Sequence, residues 1–256
     1  MPNPIADPAA SIPFIKAGLV FSALVAGSIS PDLGYFISVP TPYFSHTAPG
    51  LILFDVPMGF VLLWLFHTLV KWPLLSLLPA TLQRRLVGHA HRFSFGALKR
   101  FGLILLSLLV GSFTHLIWDS FTHENGWVVQ RIVFLNISIV GTPLYGILQN
   151  MSTILGTGIL IYWFFRWLPK APQSDQLPEH FSGVTRNIFF ALLILSLAVV
   201  EGAIIYSRVM KGSRFVLEHF LMDSTTVSAV IIISFFMSIY CLAWMTAFHK
   251  TIQRVH

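Results

Sequence analysis

His115 and Asp119 stand four residues apart in the stretch Ser112 to Glu124, which closes an apolar run beginning near Phe101. On a helix that spacing stacks them on one face, about one turn from each other. His123 follows four residues later and stays near the same face if the helix continues. Imidazole and carboxylate are the usual ligands of zinc and related divalent ions. Ionisable groups inside an apolar segment are costly unless paired or metal-bound, which makes a functional cluster the default reading. The competing reading is structural: a capping aspartate with histidines at a membrane boundary.

The surrounding composition is that of a membrane protein. The 256 residues are 55 % hydrophobic and 10 % charged, with a mean hydropathy of +0.76. Soluble domains carry about 25 % charged residues. Apolar stretches long enough to span lie near 48–67, 101–121, 144–168, 186–207 and 226–249. The expected fold is an all-α integral membrane protein, one transmembrane domain over 1–256, with five to six transmembrane helices. Its first element, 7–31, is short, and ends at Ser30-Pro31-Asp32. It reads either as a re-entrant pair of half-helices or as one tilted span. Asp7, four prolines and no basic residue precede Lys16, which is not a signal-peptide n-region, so a cleaved signal peptide is not expected. Cys241 is the single cysteine, so no intrachain disulfide forms.

Orientation follows from basic residues. The connection 68–100 carries Lys71, Arg84, Arg85, Arg92, Lys99 and Arg100 and no acid. The positive-inside rule makes it cytoplasmic, together with the polar linker 169–185. That placement accounts for the net charge of +6 without nucleic acid as a partner. His67, His89, His91 and His249 then read as interfacial or headgroup-contacting. Arg208, Lys211 and Arg214 fall on the outer side, against the rule.

With 68–100 inside, Asp32, His46, Asp55 and the run His115 to Glu124 all fall at the outer ends of their spans. Four of the ten acids (Asp32, Asp55, Asp119, Glu124) and three of the ten histidines gather on one leaflet. Each has a plainer role open to it. Asp32 could shape a turn, His46 could be interfacial, and Asp55 could serve backbone groups freed by Pro57. Yet capping residues placed without purpose would use both faces. The asymmetry points to a divalent-metal site, zinc or manganese, that activates water. Asp55 or Glu124 is then the carboxylate that accepts the proton. No Gly-x-Ser-x-Gly elbow, Walker loop or His-Glu-x-x-His is present.

These motifs resemble a bacterial multi-span family catalogued as a domain of unknown function, number 4184. The matching stretches include Asp7-Pro-Ala-Ala10, Gly27 to Phe36, Ser45-His46-Thr47, Leu53 to Pro57, His115 to Asp119 and Thr122-His123. More distantly, Pro31-Asp32, Ser45-His46 and His115 to Asp119 are similar to membrane-bound metal-dependent hydrolases. The resemblance implies a metal-dependent hydrolase in a bacterial cytoplasmic membrane. The family usually carries histidine where this chain has Asp7, and aspartate can also ligate a metal.

The ligand set expected from sequence is therefore Asp32, His46, His115 and Asp119, with His123 and Asp7 as further members. The expected activity is hydrolysis of an ester or phosphoester in a membrane lipid or lipid-linked substrate, at a site facing outside. Two other readings share these residues. One is an ion-coupled transporter or lipid flippase, in which buried acids and histidines line a path. The other is a structural subunit with a vestigial metal site.

Overall fold

The computed structural model describes residues 6–36, 44–96, 98–139, 141–175, 177, 181–210 and 224–248. The protein is mostly helical. Among the described residues, four helices are long and apolar enough to cross a membrane: Ala48–Leu77, Leu98–Thr122, Leu144–Lys170 and Gly183–Val200. A further helix, Ser224–Ala247, contains the shorter apolar stretch Ile232–Ala247. The first of the four is longer than its sequence suggests. Helix continues through Trp72-Pro73 to Leu77, beyond the apolar stretch 48–67. A π-helical turn at Phe66–Val70 precedes the proline and absorbs the break in hydrogen bonding. Among the described residues, the strand structure is a two-residue ribbon pairing Ser138–Ile139 with Thr142–Pro143, with Gly141 at φ +84°.

The chain forms two compact units. One comprises 2–66 and 92–171 and holds the buried Asp and His cluster; the other comprises 67–91 and 172–256. In the first unit the opening residues are a helical hairpin. A 3₁₀ turn, Asp7–Ser11, runs into Ile12–Ile15. Gly18, at φ +83°, turns the chain, and helix α1, Phe21–Ile29, returns. Only glycine takes that backbone conformation at little cost. Of the two readings open in the sequence, the structure has the folded-back pair.

Helix α1 packs along α2, Leu98–Thr122. Where the hydrophobic effect does not separate helix from lipid, small residues that let backbones approach supply the association. Here Gly27 on α1 and Gly111 on α2 meet backbone to backbone, with Ala23 and Ser107 four residues before them on the two helices. A methyl group at Gly27 would collide with the Leu108 backbone, and one at Gly111 with the Leu24 carbonyl. Hydrogen bonds lock the crossing. The Val20 N–H donates to Ser107 Oγ at 2.9 Å, and Ser112 Oγ–H donates to the Gly27 carbonyl at 3.0 Å. Ser30 and Ser112 hydroxyls lie 3.2 Å apart. Around this seam Ala23, Ala26, Leu63, Ile104 and Leu108 form a buried core.

In the second unit, Trp72, Leu75, Val87, Tyr240 and Trp244 form the core. Helix α3, Ala80–Ala90, is held there by Gln83, which donates to the Ser76 and Leu78 carbonyls at 3.2 and 2.8 Å.

Replacing Gly111 by alanine should destabilise the protein by about 1–3 kcal/mol through overpacking against a rigid backbone. Gly102→Ala, on the same helix with nothing near its added methyl, should be neutral or slightly stabilising. Thermal unfolding in one detergent compares the two, and equal midpoints would show that the glycine seam is not what holds α1 to α2.

Candidate metal centre

Three short-range devices bring the polar side chains together. The first is the 3₁₀ turn Ser30–Asp32, which ends α1 at Pro31 and leaves Asp32 buried. The second is the turn before the Ala48–Leu77 helix. Thr47 caps that helix, its hydroxyl accepting from the Gly50 N–H at 3.1 Å and donating to the Phe44 carbonyl at 2.7 Å. This fixes the turn that presents His46. The third is α2 itself, on which His115 and Asp119 sit one turn apart and are both buried.

Four donor atoms converge. His115 Nε2 lies 3.1 Å from Asp119 Oδ2 and 3.6 Å from Asp32 Oδ1. His46 Nε2 lies 3.2 Å from Asp119 Oδ2 and 3.7 Å from Asp32 Oδ1. A tetrahedral zinc ion about 2.0–2.1 Å from each of four donors would space them roughly 3.3–3.4 Å apart. The measured separations bracket that value. Asp32 Oδ1, His115 Nε2 and Asp119 Oδ2 are moreover buried without a hydrogen-bond partner from the protein. This Asp-His-His-Asp group could hold a metal ion, and the residues fit one.

The far side of each of three ligands is tied down. Asp7 Oδ2 lies 3.0 Å from His115 Nδ1. Ser45 Oγ lies 3.0 Å from His46 Nδ1. His123 Nδ1 lies 3.4 Å from Asp119 Oδ1, the oxygen turned away from the centre. Partners of this kind fix the tautomer and aim of a metal-binding imidazole. Asp7 thus sits behind His115 and outside the four-donor group, and His123 sits behind Asp119. His123 is steadied by its own turn: Val128 and Val129 N–H groups both donate to the Ser120 carbonyl at 3.2 Å, folding the following chain over the helix end.

The electrostatics favour a cation. Burial opposes charging of His46, but the Asp119 and Asp32 carboxylates outweigh it and its pKa is pushed up to about 9. Burial lowers that of His123, although Asp119 works the other way.

Asp55 is fully buried and neither carboxylate oxygen has a hydrogen-bond partner from the protein. It ends a π-helical turn, Leu51–Asp55, just ahead of Pro57. The Val56 N–H reaches back five residues to Leu51, which places the turn where π-bulges often mark functional sites. Its charge is felt by His46, His115 and Asp32. Glu124, by contrast, is exposed in the turn after α2. The region 208–225, with Arg208, Lys211 and Arg214, lies outside the side chains described here.

Beside the centre, an apolar cavity of about 320 Å³ opens among the hairpin, α2 and helix α4, Leu144–Trp167. Ala6, Ala10, Trp118 and Ile159 line it, and Asp7 with His115 closes its polar end. Reading the sequence places Ser45 next to His46 but assigns it no role. The signal was available in the adjacency of a hydroxyl to a ligand histidine.

Asp7→Asn should weaken zinc binding by about 10–100-fold by loosening His115, while Glu124→Gln leaves it unchanged. Competition against a chromophoric chelator measures both, and unchanged affinity in Asp7→Asn would remove its orienting role.

A model of the family described as Domain of unknown function (DUF4184) matches residues 1–247. No curated protein and no solved structure matches the chain. The chain belongs to the DUF4184 family.

Proposed function

We propose that this member of the family is a metal-dependent hydrolase of an ester or phosphoester in a membrane lipid or lipid-linked substrate. The observation that carries the reading is the convergence of Asp32, His46, His115 and Asp119 on one point beside a buried, unpartnered Asp55. A zinc or manganese ion held there would supply Lewis acidity and make a water a competent nucleophile at neutral pH.

The protein's own groups do the rest. Asp7 accepts the His115 Nδ1–H and thereby leaves Nε2 as a lone pair facing the centre. Ser45 does the same for His46. His123 Nδ1 faces Asp119 Oδ1 at 3.4 Å, on the side away from Oδ2, the oxygen that converges with the others. Asp55 is assigned the proton-accepting role because it is buried, uncommitted and within electrostatic reach of the two histidines. Glu124, exposed to one side, has none of these attributes. The apolar cavity beside His115 suits the hydrocarbon part of an amphiphile. The four long apolar helices supply the membrane setting. In this proposal the membrane is the bacterial cytoplasmic membrane, and the basic connection 68–100 turns the site outward.

Zinc- or manganese-loaded protein in micelles should release product from one of a panel of phospholipids and lipid phosphates. Asp55→Asn should slow that release by about 10²–10⁴-fold while retaining its metal. Metal-loaded protein inactive across the panel, in micelles and in vesicles alike, would sink the reading and favour an ion-coupled transporter.

A further inference from the structure

A second site lies in the unit formed by 67–91 and 172–256, and it does not rest on the hydrolase reading. Lys71 is buried there, at 9 % exposure. Its Nζ donates to the carbonyl of Ala90, the last residue of α3, at 3.1 Å. It also lies 4.9 Å from the centroid of the Trp72 ring. Trp72 in turn meets the His91 ring, their centroids 4.6 Å apart. Burial and then the Lys71 ammonium lower the pKa of His91.

Nothing described in this unit neutralises the ammonium. Among the described side chains the one carboxylate is Asp175, which is exposed and pairs with Arg84 at 3.8 Å. The plain explanation is that Lys71 caps the C-terminal end of α3. A helix end supplies roughly half a charge, and the Ala90 carbonyl takes one of three ammonium donors. The other half-charge and two donors remain. A buried cation in that state is costly until an anion completes it.

The neighbours indicate which anion. Lysine and tryptophan are the residue types of the membrane–water boundary, and these two come six and five residues before the end of a candidate span. Arg84 and Arg85 follow on α3, within a connection that holds no acid. Basic segments beside a span attract anionic lipid headgroups. We infer that Lys71, Trp72 and His91 seat the phosphate group of an anionic phospholipid, its oxygens accepting from the free Lys71 donors and a His91 N–H.

The test is native mass spectrometry of the full chain released from detergent, titrated with phosphatidylglycerol and, separately, with phosphatidylcholine of the same chains. Wild type should retain one phosphatidylglycerol about tenfold more tightly than phosphatidylcholine. Lys71→Met should lose that preference, and Lys71→Arg should keep most of it. Displacement of the lipid by inorganic phosphate would identify the bare phosphate as the ligand; resistance would identify the membrane-anchored headgroup. Both results support the seat. Wild type that binds the two lipids equally overturns it, and that arm needs no variant to fold. So does Lys71→Met that melts like wild type and retains phosphatidylglycerol as tightly.

Discussion

The close approach of Phe21–Ile29 to Leu98–Thr122 is the constraint on which the candidate metal centre depends. Two backbones can come that near only where glycine, alanine and serine line both faces, and Gly27 and Gly111 have no room for a methyl group. The same contact carries Ser30 against Ser112. Asp32 lies two residues beyond the first of these, and His115 three beyond the second. The seam and the ligand set are therefore one construction. A shift along the seam would separate Asp32 from His115 together with the packing of Ala23 and Ala26 near Ile104 and Leu108.

The hairpin adds a second use of the same geometry. Because Gly18 reverses the chain, both of its ends reach α2. Asp32 meets His115 at Nε2, and Asp7 meets the same ring at Nδ1. One imidazole is thus held between two carboxylates from opposite arms of one short element. His46 and Asp119 show a looser version, with Ser45 and His123 behind them. Four carboxylates, Asp7, Asp32, Asp55 and Asp119, gather with three imidazoles, His46, His115 and His123. A divalent ion is the economical way to balance them in a low-dielectric setting.

Much of this is legible in the chain, because ionisable residues are rare in it and each one in an apolar run stands out. Asp32, His46, His115 and Asp119 can be picked by residue type and by their place at the ends of apolar stretches. What sits behind them is harder to read. Asp7 draws attention through family likeness as a ligand, yet its carboxylate reaches the far nitrogen of His115, a distinction set by hairpin geometry rather than by spacing. Asp55 and Glu124 look alike as carboxylates near the same end. Burial separates them, and burial depends on which face of a π-turn points inward. The Ala23–Gly27 and Ser107–Gly111 pairs do carry the small-residue spacing of packed membrane helices. Hydropathy drowns that signal, since Leu, Ile and Val dominate the same windows. The extension of the first long helix through Pro73 is hard to read for a related reason: proline signals a stop, and the π-turn that precedes it leaves no mark in the hydropathy pattern.

Metal content of the purified protein tests the central claim most directly. After purification without chelator and re-addition of zinc or manganese, mass spectrometry should find about one bound equivalent in wild type, the stoichiometry of a four-ligand site. The His115→Ala/Asp119→Ala variant, folded by its thermal melt, should retain almost none. No bound metal in wild type, or equal metal in both proteins, would contradict the account.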